Sequence, residues 1–490
     1  SQRLNSKILS SKIMSKNISD FTQMTIKENL EFLNKLEDPT AKYIIDPLKK
    51  QLEALEYIGL SYLTLNRVTT TLSGGEAQRL KLIRHLNSSL SDLVYIIDEP
   101  SVGLHPEDIA KINEILKSLK EKGNTVLIVE HDPDVIKEGD YIIDMGPGSG
   151  KNGGEITFEG TYNELLSSNT STGNALRNKH NLKENIREAN HFYNIGPVTQ
   201  NNLNNVKTSI PKHVLTVLTG VAGSGKSTLV KAGFENNDHT IFIDQKAVQG
   251  SNRSNLLTYL GVFDSVRSYF SKETGLNKAM FSYNSKGACP NCGGKGYIKT
   301  ELAFMGDFSQ TCEVCHGKRY KQEVLDATID GYSIADVLNL TVDEGIIFFD
   351  KKNDIKSKLQ SVSKTGLNYM SLGQPLSTLS GGEIQRVKLG QHLDEEIKNS
   401  IFIFDEPTTG LHESDIPILM ECFDDLIDQN NTVILIEHNL SIMCEADWII
   451  DVGPGPGLDG GKVQFSGTPK NFIDSSETLT SKHLKRYIKQ

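Results

Sequence analysis

Apolar and polar residues follow two different periods along the first third of the chain. Residues 1–90 have mostly helical spacing and end in a helix that begins after Gly75. From residue 91 to 165, short apolar runs predict four strands: "LVYIID", "TVLIVEH", "YIIDMG" and "GEITFEG". Between the first two, Pro106–Glu121 has the pattern of a helix. Strands that alternate with helices indicate a parallel α/β core.

The pattern then breaks and starts again. The stretch from Ser167 to about Glu188 is polar and rich in Asn, Ser and Lys, which predicts a linker. A new apolar strand, "HVLTVLTG", follows it and leads directly into a glycine-rich segment.

Four sequence motifs occur twice at one displacement. "TTLSGGEAQRLKLIRHL" begins at Thr70, and "STLSGGEIQRVKLGQHL" begins 307 residues later at Ser377. The same displacement relates "VYIIDEPSVGLH" to "IFIFDEPTTGLH", "LIVEHD" to "LIEHN", and "IGLSYLTL" to "TGLNYMSL". A shared displacement over four motifs predicts two homologous halves.

Upstream of these motifs the displacement grows to 316, which pairs Thr25 with Thr341 and Arg3 with Arg319. At that displacement Ser1 lies opposite Gly317, so the first half has no counterpart of residues 191–316. We therefore expect the chain to be a C-terminal fragment of a longer protein.

Composition sets the broad class of protein. The chain has 490 residues, of which 37% are hydrophobic and 23% charged, as in soluble globular proteins with more than one domain. No apolar run approaches the roughly 20 residues that span a bilayer, so we expect a cytoplasmic protein with no membrane contact. A formal charge of −10 argues against a broadly basic surface but leaves room for a local basic patch.

"GVAGSGKS" fits the phosphate-binding loop G-x-x-x-x-G-K-[ST] and lies between an apolar strand and a predicted helix. Backbone N–H groups and the helix N-terminus would cradle phosphates, Lys226 would reach the β- and γ-oxygens, and Ser227 would hold Mg²⁺. A glycine-rich turn with a chance Lys-Ser pair is the alternative. The predicted contacts are Gly220, Gly223, Ser224, Gly225, Lys226, Ser227 and Thr228.

The strand "FIFDEP" places two carboxylates at its carboxyl end. Asp405 would meet the Mg²⁺ shell, and Glu406 would polarise an attacking water. A carboxylate pair that caps a helix is the alternative. His438, at the end of the next strand, would contact the γ-phosphate. Its recurrence as His131 favours function over a purely structural role.

The Ser-Gly-Gly-Glu turn distinguishes the class of ATPase. Two glycines before a helix let the backbone approach a phosphate closely. The motifs resemble those of the ATP-binding-cassette family, and this resemblance implies that the turn of one half closes over nucleotide held by the other. The complete composite site would then join the phosphate loop, Asp405, Glu406, Gln245 and His438 to Ser73, Gly74, Gly75 and Glu76. The remnants of a second site would be Asp98, Glu99 and His131 with Ser380, Gly381, Gly382 and Glu383.

Four cysteines lie between the phosphate loop and the second Ser-Gly-Gly-Glu turn. Their spacing, C-x₂-C-x₁₉-C-x₂-C, is close to that of structural zinc sites. We predict Zn²⁺ bound by all four, with an iron–sulfur cluster or a redox dithiol pair as alternatives. The predicted ligands are Cys289, Cys292, Cys312 and Cys315.

The residues between and after the cysteine pairs predict a hairpin with basic and aromatic side chains, which suits phosphate contacts and base stacking. A solvated surface hairpin with packed aromatics is the alternative. The candidate DNA contacts are Lys295, Lys299, Lys318, Arg319 and Tyr320, with Arg253 in a nearby segment.

Taken in order, the phosphate loop, "DQKAVQGSNRSNLLTYLGVF", the cysteine module, "GKRY", "LSGGE", "DEPTTGLH", "IEHN" and "ADWIIDVGPGPG" resemble the UvrA family of bacterial nucleotide excision repair. The resemblance covers essentially the whole chain. It implies an α/β fold of tandem ABC-type P-loop ATPase halves with inserted, mostly helical signature domains. It also implies an ATPase without nuclease activity that dimerises under ATP control, binds damaged duplex DNA and hands it to a UvrB-like partner. The UvrB-binding region would lie upstream of residue 1.

The resemblance also divides the chain into six predicted segments. They are a truncated first signature domain (1–90), the C-terminal part of ATPase core I (91–166), a linker (167–190), the N-terminal part of core II (191–250), a second signature domain (251–395) with a zinc module at 287–320, and the C-terminal part of core II (396–490).

Other functions remain open at this point. "DQKAVQGSNRSN" is less basic than expected of housekeeping members, so a UvrA-like paralogue associated with resistance to DNA-binding drugs is one alternative. An ATPase of a transporter or a ribosome-acting tandem cassette protein is another. The cysteine module argues against the transporter, and the mixed charge of the linker argues against the ribosome-acting protein.

Overall fold

The computed structural model describes residues 4–36, 38–69, 72, 74–86, 90–178, 181–246, 254–302, 306–395 and 397–489. The first half contains α1 (Ser6–Leu9), α2 (Ile18–Gln23), α3 (Ile26–Asn34), α4 (Lys42–Tyr57), α5 (Gly74–Leu86), β1 (Val94–Asp98), α6 (Pro106–Glu121), β2 (Thr125–Val129), α7 (Pro133–Ile136), β3 (Ile142–Gly146), β4 (Glu155–Gly160), α8 (Tyr162–Ser167) and α9 (Ser171–Arg177).

The second half begins with a β-hairpin and carries the longer set of elements. They are β5 (Phe192–Gln200), β6 (Leu203–Pro211), β7 (Leu215–Thr219), α10 (Lys226–Phe234), β8 (Thr240–Ile243), α11 (Leu256–Tyr259), α12 (Phe263–Thr274), β9 (Tyr297–Leu302), β10 (Gly306–Thr311), α13 (Gln322–Leu325), β11 (Thr328–Ile329), β12 (Tyr332–Ser333), α14 (Ile334–Leu338), α15 (Val342–Phe348), α16 (Asn353–Val362), α17 (Gly381–Leu393), β13 (Ile401–Asp405), α18 (Ile416–Asp428), β14 (Thr432–Ile436), α19 (Leu440–Glu445), β15 (Trp448–Gly453), β16 (Lys462–Gly467), α20 (Pro469–Ser475) and α21 (Leu479–Lys489).

The repeat extends to local structure. Thr25 caps α3 by accepting the N–H of Glu28, whose carboxylate accepts the N–H of Thr25 in return. Thr341 and Glu344 form the same capping box before α15. Such a box satisfies two backbone donors that a helix N-terminus would otherwise leave unpaired. Corresponding helices in the two halves therefore start on the same signal.

The second half is organised around a six-stranded sheet in the order β16-β15-β7-β14-β13-β8. All pairings are parallel except the one between β15 and β16. One face packs against α18, and the other packs against α10 and the β5–β6 hairpin. Because both faces are covered, the central strands are continuously apolar. The carboxyl ends of β7, β13 and β14 meet at one edge, which positions the candidate site.

The first half contains shorter sheets. Strands β1 and β2 pair in parallel, and β3 and β4 pair antiparallel as a separate ribbon. One face of the β1–β2 pair packs against α6 and the helical residues upstream of it. All four predicted strands and the predicted helix at Pro106–Glu121 are confirmed.

The helical insertion of the second half, residues 254–395, has its own core, built on Phe270, Phe281, Tyr283, Tyr320 and Phe349. The β9–β10 hairpin leaves this core with an antiparallel register from Tyr297↔Thr311 to Leu302↔Gly306. The predicted hairpin between the cysteine pairs is therefore present.

The predicted linker is more ordered than its composition indicated. Helix α9 lies inside the range, and the following strand-free segment is held by ion pairs to the second half. Arg187 pairs with Asp424 at 2.7 Å and with Asp428 at 3.0 Å, and Lys183 lies 3.5 Å from the buried carboxylate of Asp447. Polar side chains can dock a segment through charge pairs, which a search for apolar residues does not detect.

None of the helices in the described ranges combines the length and hydropathy that crossing a bilayer requires.

Candidate ATP site and metal centre

The phosphate loop lies between β7 and α10, as the sequence predicted. Gly220, Gly223 and Gly225 have φ values of 129°, 72° and 103°, a region that favours glycine. The Lys226 ammonium donates to the carbonyl oxygens of Gly220 at 2.8 Å and Val221 at 3.0 Å. Burial lowers the pKa of Lys226 to about 8, against the opposing pull of nearby Glu406 and Asp405. The loop thus holds a buried cation at its centre.

Two polar atoms around the loop match the chemistry of a phosphate. The Ser224 hydroxyl is buried and has no hydrogen-bond partner among the described residues. The Thr228 hydroxyl accepts a hydrogen bond from Asn201 at 3.3 Å. A buried donor without a partner costs free energy, which a ligand oxygen in the loop would relieve. The loop therefore fits a nucleotide phosphate.

Asp405 and Glu406 follow β13 at the same edge of the sheet. The Ser227 hydroxyl donates to Asp405 Oδ1 at 3.3 Å, so the two predicted Mg²⁺ ligands are already adjacent. A hydroxyl and a carboxylate are the oxygen ligands that Mg²⁺ prefers, so this pair fits the ion. Lys231 also lies 3.6 Å from Asp405.

Glu406 is buried beside other carboxylates. Burial, followed by repulsion from Asp405 and Glu437, raises the pKa of Glu406 to about 7. Its φ of 53° is unusual for a residue with a side chain, and Glu99 in the first half repeats it at 45°. A raised pKa near neutrality suits proton acceptance from water.

His438 and Gln245 surround Glu406 in different ways. The His438 ring is buried and its Nδ1 has no partner among the described residues, and burial holds the pKa of His438 well below its usual value. Gln245 donates its amide to the Glu406 carbonyl at 3.1 Å and to Thr409 at 3.0 Å. In this conformation Gln245 is bound to the segment after Glu406.

The first half covers this site. The Tyr62 hydroxyl donates to Glu76 Oε1 at 2.6 Å, and the Tyr62 ring lies on the phosphate loop of the second half. A Cβ added to Gly223 would come within 2.8 Å of that ring. Helix α5 begins at Gly74 and continues through Gly75 and Glu76, whereas Ser73 lies outside the described residues.

A second segment of the first half reaches the base. Gly103, with a φ of 66°, lies against the Glu406 carboxylate, and an added Cβ would approach Oε2 to 2.8 Å. Contacts from Tyr62 and Gly103 are those of a composite site in which one half closes over the other. They agree with the predicted head-to-tail arrangement, although the individual roles stay predictions.

The remnants of the second site repeat the arrangement in part. Tyr369 donates to Glu383 Oε1 at 2.8 Å and lies on Gly150 of the first half. His131 Nδ1 lies 3.7 Å from Glu99, and burial raises the pKa of that carboxyl. The remaining predicted residues lie at corresponding places: Asp98 ends β1, Ser380 caps α17, and Gly381 and Gly382 open that helix.

The four cysteine sulfur atoms lie within 4.8 Å of one another and are buried. Cys289 and Cys312 are 4.0 Å apart, and Cys292 and Cys315 are 3.7 Å apart. These separations match the roughly 3.8 Å edge of a tetrahedron with metal–sulfur bonds of about 2.3 Å. The cluster therefore fits a structural metal ion such as Zn²⁺.

Two further contacts place donors on sulfur atoms of the cluster, although burial raises the pKa of the Cys315 thiol to about 12. The Asn291 amide donates to Cys312 Sγ at 3.3 Å, and the Gly296 N–H donates to Cys292 Sγ at 3.2 Å. Backbone N–H groups, chiefly that of Cys315, together with Asn291, lower the pKa of Cys312 to about 6. Donors aimed at sulfur stabilise a metal-bound thiolate.

The DNA candidates divide into three groups. Lys295 is exposed beside the hairpin, and Lys299 lies on β9. Lys318 is ion-paired with Asp336 at 3.2 Å, and the Arg319 guanidinium lies 5.3 Å from the centre of the Tyr283 ring. Arg253 lies outside the described residues.

Tyr320 is the exception, because its predicted role in base stacking does not agree with its position. Its ring is 1% exposed and packs against Tyr283, and its hydroxyl donates to the Phe281 carbonyl at 3.3 Å. A side chain enclosed in the helical core cannot stack on a base. Its place beside basic residues in the sequence did not reveal that it points inward.

Sequence reasoning missed three kinds of contact between the halves. They are the tyrosines that lie on glycines of the opposite half, Tyr62 on Gly223 and Tyr369 on Gly150, the glycine that contacts the opposite glutamate, Gly103, and the histidine two residues after that glycine, His105. The signal was present, because "GLSYLTL" and "GLNYMSL" and the two "GLH" segments recur at the displacement of 307.

Comparison with known proteins bears on the fold and the family of the chain. The family described as "ABC transporter" matches residues 203–409. A structure of ribosome-bound archaeal Pelota and ABCE1 has a TM-score of 0.52 at 18% identity and covers 92% of this chain, which shows a shared fold alone. The fold and the site thus define a tandem ATP-binding-cassette ATPase.

The relatives narrow this class. "UvrABC system protein A" of Clostridium perfringens is 42% identical over 99% of this chain and 56% of its own length, and that of Bacillus subtilis is 40% identical over 100% and 55%. The crystal structure of UvrA2 from Deinococcus radiodurans has a TM-score of 0.93 at 37% identity, and covers 99% of this chain and 65% of that one. The chain belongs to the UvrA family. It spans a little over half the length of these curated relatives.

Proposed function

We propose that this chain acts as an ATP-dependent DNA-damage recognition subunit of nucleotide excision repair, with ATP hydrolysed at a composite site between its two halves. The observation that carries the proposal is the closure of the first half over the second, in which Tyr62 lies on Gly223 and Gly103 lies against Glu406. Relatives about 40% identical along the whole chain support the repair assignment.

Each residue of the site has a task in hydrolysis. The loop N–H groups, the Ser224 hydroxyl and the Lys226 ammonium bind the phosphates. Ser227 and Asp405 would hold Mg²⁺, which would neutralise charge on the phosphate oxygens. Glu406 accepts a proton from the attacking water, and the neutral His438 donates toward the terminal phosphate.

Closure links nucleotide to the rest of the molecule. Tyr62 of the first half lies on Gly223 of the loop and donates to Glu76. Glu76 is in the first turn of helix α5, and the N-terminus of a helix favours an anion. Bound ATP therefore stabilises the closed arrangement, and hydrolysis releases it.

The DNA contact is assigned to the metal-supported hairpin. Four cysteines fix its base, and Lys295 lies exposed beside it. Lesions differ in chemistry but commonly weaken stacking, so damage is read through the deformability of the duplex. The protein itself cuts no DNA, and a UvrB-like partner receives the damaged site. A homodimer working in the cytoplasm completes the proposal.

Binding and hydrolysis test this function together. The purified chain is titrated with duplex carrying a bulky lesion, the intact duplex and ribosomal RNA, with and without ATP. We expect preference for the lesion duplex and a rise in ATP turnover when it is bound. Preference for ribosomal RNA would overturn the repair function in favour of a ribosome-acting ATPase.

A matched pair of variants locates the DNA contact. Lys295→Glu should weaken duplex binding and lower the slope of log affinity against log salt by about one. Lys470→Glu makes the same charge change at an exposed site on α20 and should alter binding less. Equal effects of the two variants would mean that the hairpin is not the contact.

A further inference from the structure

A polar contact joins the two halves beside the candidate ATP site. His105 of the first half lies in the loop before α6 and is fully buried. Its Nε2 is 3.0 Å from the hydroxyl of Thr480 on α21 of the second half. The Thr480 hydroxyl in turn donates to Asp451 Oδ1 on β15 at 3.4 Å.

The same contact occurs a second time with the halves exchanged. His412 of the second half has its Nε2 3.1 Å from the hydroxyl of Thr172 in the first half. Thr172 donates to Asp144 Oδ1 at 2.7 Å. The histidines are 307 residues apart in the sequence, as are the two aspartates. Two copies of one arrangement, each crossing between halves, argue against a chance contact.

The hydrogen-bond directions are the same in both copies. His105 Nδ1 accepts the N–H of Glu107 at 3.2 Å, and His412 Nδ1 accepts that of Ser414 at 3.2 Å. Nε2 therefore carries the ring proton and donates to threonine, which is free to donate onward to aspartate. Burial lowers the pKa of His105 to about 3, so its ring is neutral.

We call the hydrogen-bonded series His105, Thr480 and Asp451 the relay. One end of the relay lies at the phosphate loop. A Cβ added to Gly220 would lie 3.1 Å from Asp451 Oδ1, and the carbonyl of Gly220 is an acceptor for Lys226. The His105 ring also meets the buried His438 ring edge-on, with centroids 5.9 Å apart. Asp451 and His438 thus lie next to the groups that would hold the phosphates.

At the other end the relay reaches the catalytic glutamate. His105 closes the segment 101–105, whose first residue is held by the first half through the Ser101 N–H and Glu130 at 2.9 Å. Within that segment Gly103 lies against the Glu406 carboxylate. If His105 left Thr480, the segment would lose this side-chain hydrogen bond to the opposite half, and the position of Gly103 against Glu406 would be less tightly held.

We propose that His105 is a positioning residue for ATP hydrolysis, which holds Gly103 against Glu406 through its bond to Thr480 and Asp451 of the opposite half. His412, Thr172 and Asp144 do the same for Glu99. This inference rests on the ATPase function proposed above.

Steady-state ATP hydrolysis by the whole chain tests the relay. His105→Ala should lower kcat about tenfold or more while KM for ATP changes less than about threefold, because the base is misplaced but the loop still binds. His105→Gln restores an N–H donor at the position of Nε2 and should recover most of kcat. Thr480→Val should resemble His105→Ala, and the double variant should be no worse than either single variant.

The control is His483→Ala, because His483 contacts the same ring at 5.7 Å and pairs with Glu107 across the halves. It should keep kcat within about twofold of the unmodified chain. A loss in His105→Ala no larger than in His483→Ala, or losses in His105→Ala and Thr480→Val that multiply, would overturn the relay. Thermal melting of each variant confirms that the chain is folded.

A second readout separates failure of the relay from failure of the ATPase function. If the unmodified chain bound nucleotide without hydrolysing it, the ATPase proposal would fail. The relay would then be measured by release of a fluorescent ATP analogue. His105→Ala should speed release about two- to threefold and His483→Ala should not. Equal release rates would overturn the relay on this readout as well.

Discussion

The strands of the two halves have nearly the same sequence pattern but very different surroundings. Ile403 on β13 is 1% exposed, whereas its counterpart Ile96 on β1 is 74% exposed. Ile434 on β14 is fully buried, whereas Leu127 on β2 is 51% exposed. On the opposite face the halves agree, since both pack their strands against the helix that follows the first strand, α18 or α6.

The difference has a defined structural cause. In the second half, the face with Ile403 and Ile434 is covered by α10 and the β5–β6 hairpin. Strand β7 lies between β14 and β15, whereas the described first half has no strand between β2 and β3. The phosphate loop belongs to this covering unit. The described residues of the first half include neither this covering layer nor a phosphate loop.

The largest effect that we expect from the difference between the halves concerns the two glutamates, Glu406 and Glu99. Glu406→Gln should lower kcat by about 100-fold or more, because it removes the proposed general base beside the phosphate loop. Glu99→Gln makes the same change in the half whose described residues include no phosphate loop, and it should change kcat less than about threefold. ATP turnover by purified variants measures both. Equal losses would show that the glutamates are assigned to the wrong sites.

A packing test comes next in size. Ile403→Ala should lower the free energy of unfolding by about 2–4 kcal/mol, because it leaves a cavity between β13 and α10. Ile96→Ala should change it by less than about 0.5 kcal/mol, because its side chain faces solvent. Trp448 is the single tryptophan and lies on β15, so its fluorescence reports unfolding of the second half.

Circular dichroism completes the packing test, because it follows both halves. A cost for Ile96→Ala as large as that for Ile403→Ala would mean that another surface covers the first-half sheet in solution.

This contrast also marks what the sequence could and could not predict. The strands, the helix at 106–121, the phosphate loop and the cysteine cluster follow from local periodicity and spacing, so they were predicted. The exposure of Ile96 could not be predicted, because an apolar strand has the same pattern whether or not a neighbouring element covers it. The predicted role of Tyr320 in base stacking was wrong for a related reason, since the direction of its side chain is set by the helical core around it.

Contacts between the halves were predicted only in outline. The repeat indicated that each Ser-Gly-Gly-Glu turn faces the other half, but it named neither Tyr62 nor His105. Both act through tertiary contacts with residues far away in the chain, such as Gly223 and Thr480. Comparing the two copies position by position reveals them, because both members of each pair are retained.

A smaller effect is expected from the two tyrosines. Tyr62→Ala should weaken ATP binding about tenfold, or roughly 1.4 kcal/mol, because the ring holds the loop at Gly223. Tyr369→Ala removes the corresponding ring from Gly150, where the described chain supplies no phosphate loop, and should change affinity less than about twofold. Calorimetric titration with a non-hydrolysable ATP analogue measures both. Similar losses would mean that Tyr62 acts through general stability.

The smallest effect on ATP is expected from the metal centre, which the described residues carry in the second half only. Cys292→Ser should release the metal, because a closed four-sulfur site loses a ligand, and bound zinc should fall from one per chain. ATP affinity should change less than about twofold, since the core of the helical insertion (residues 254–395) is separate from the core around the sheet that holds the phosphate loop. Zinc content and ATP titration on the same sample measure the two effects. Loss of ATP binding together with zinc would show that the metal supports the ATPase core. The second half would then depend on the metal centre as well as on its covered sheet.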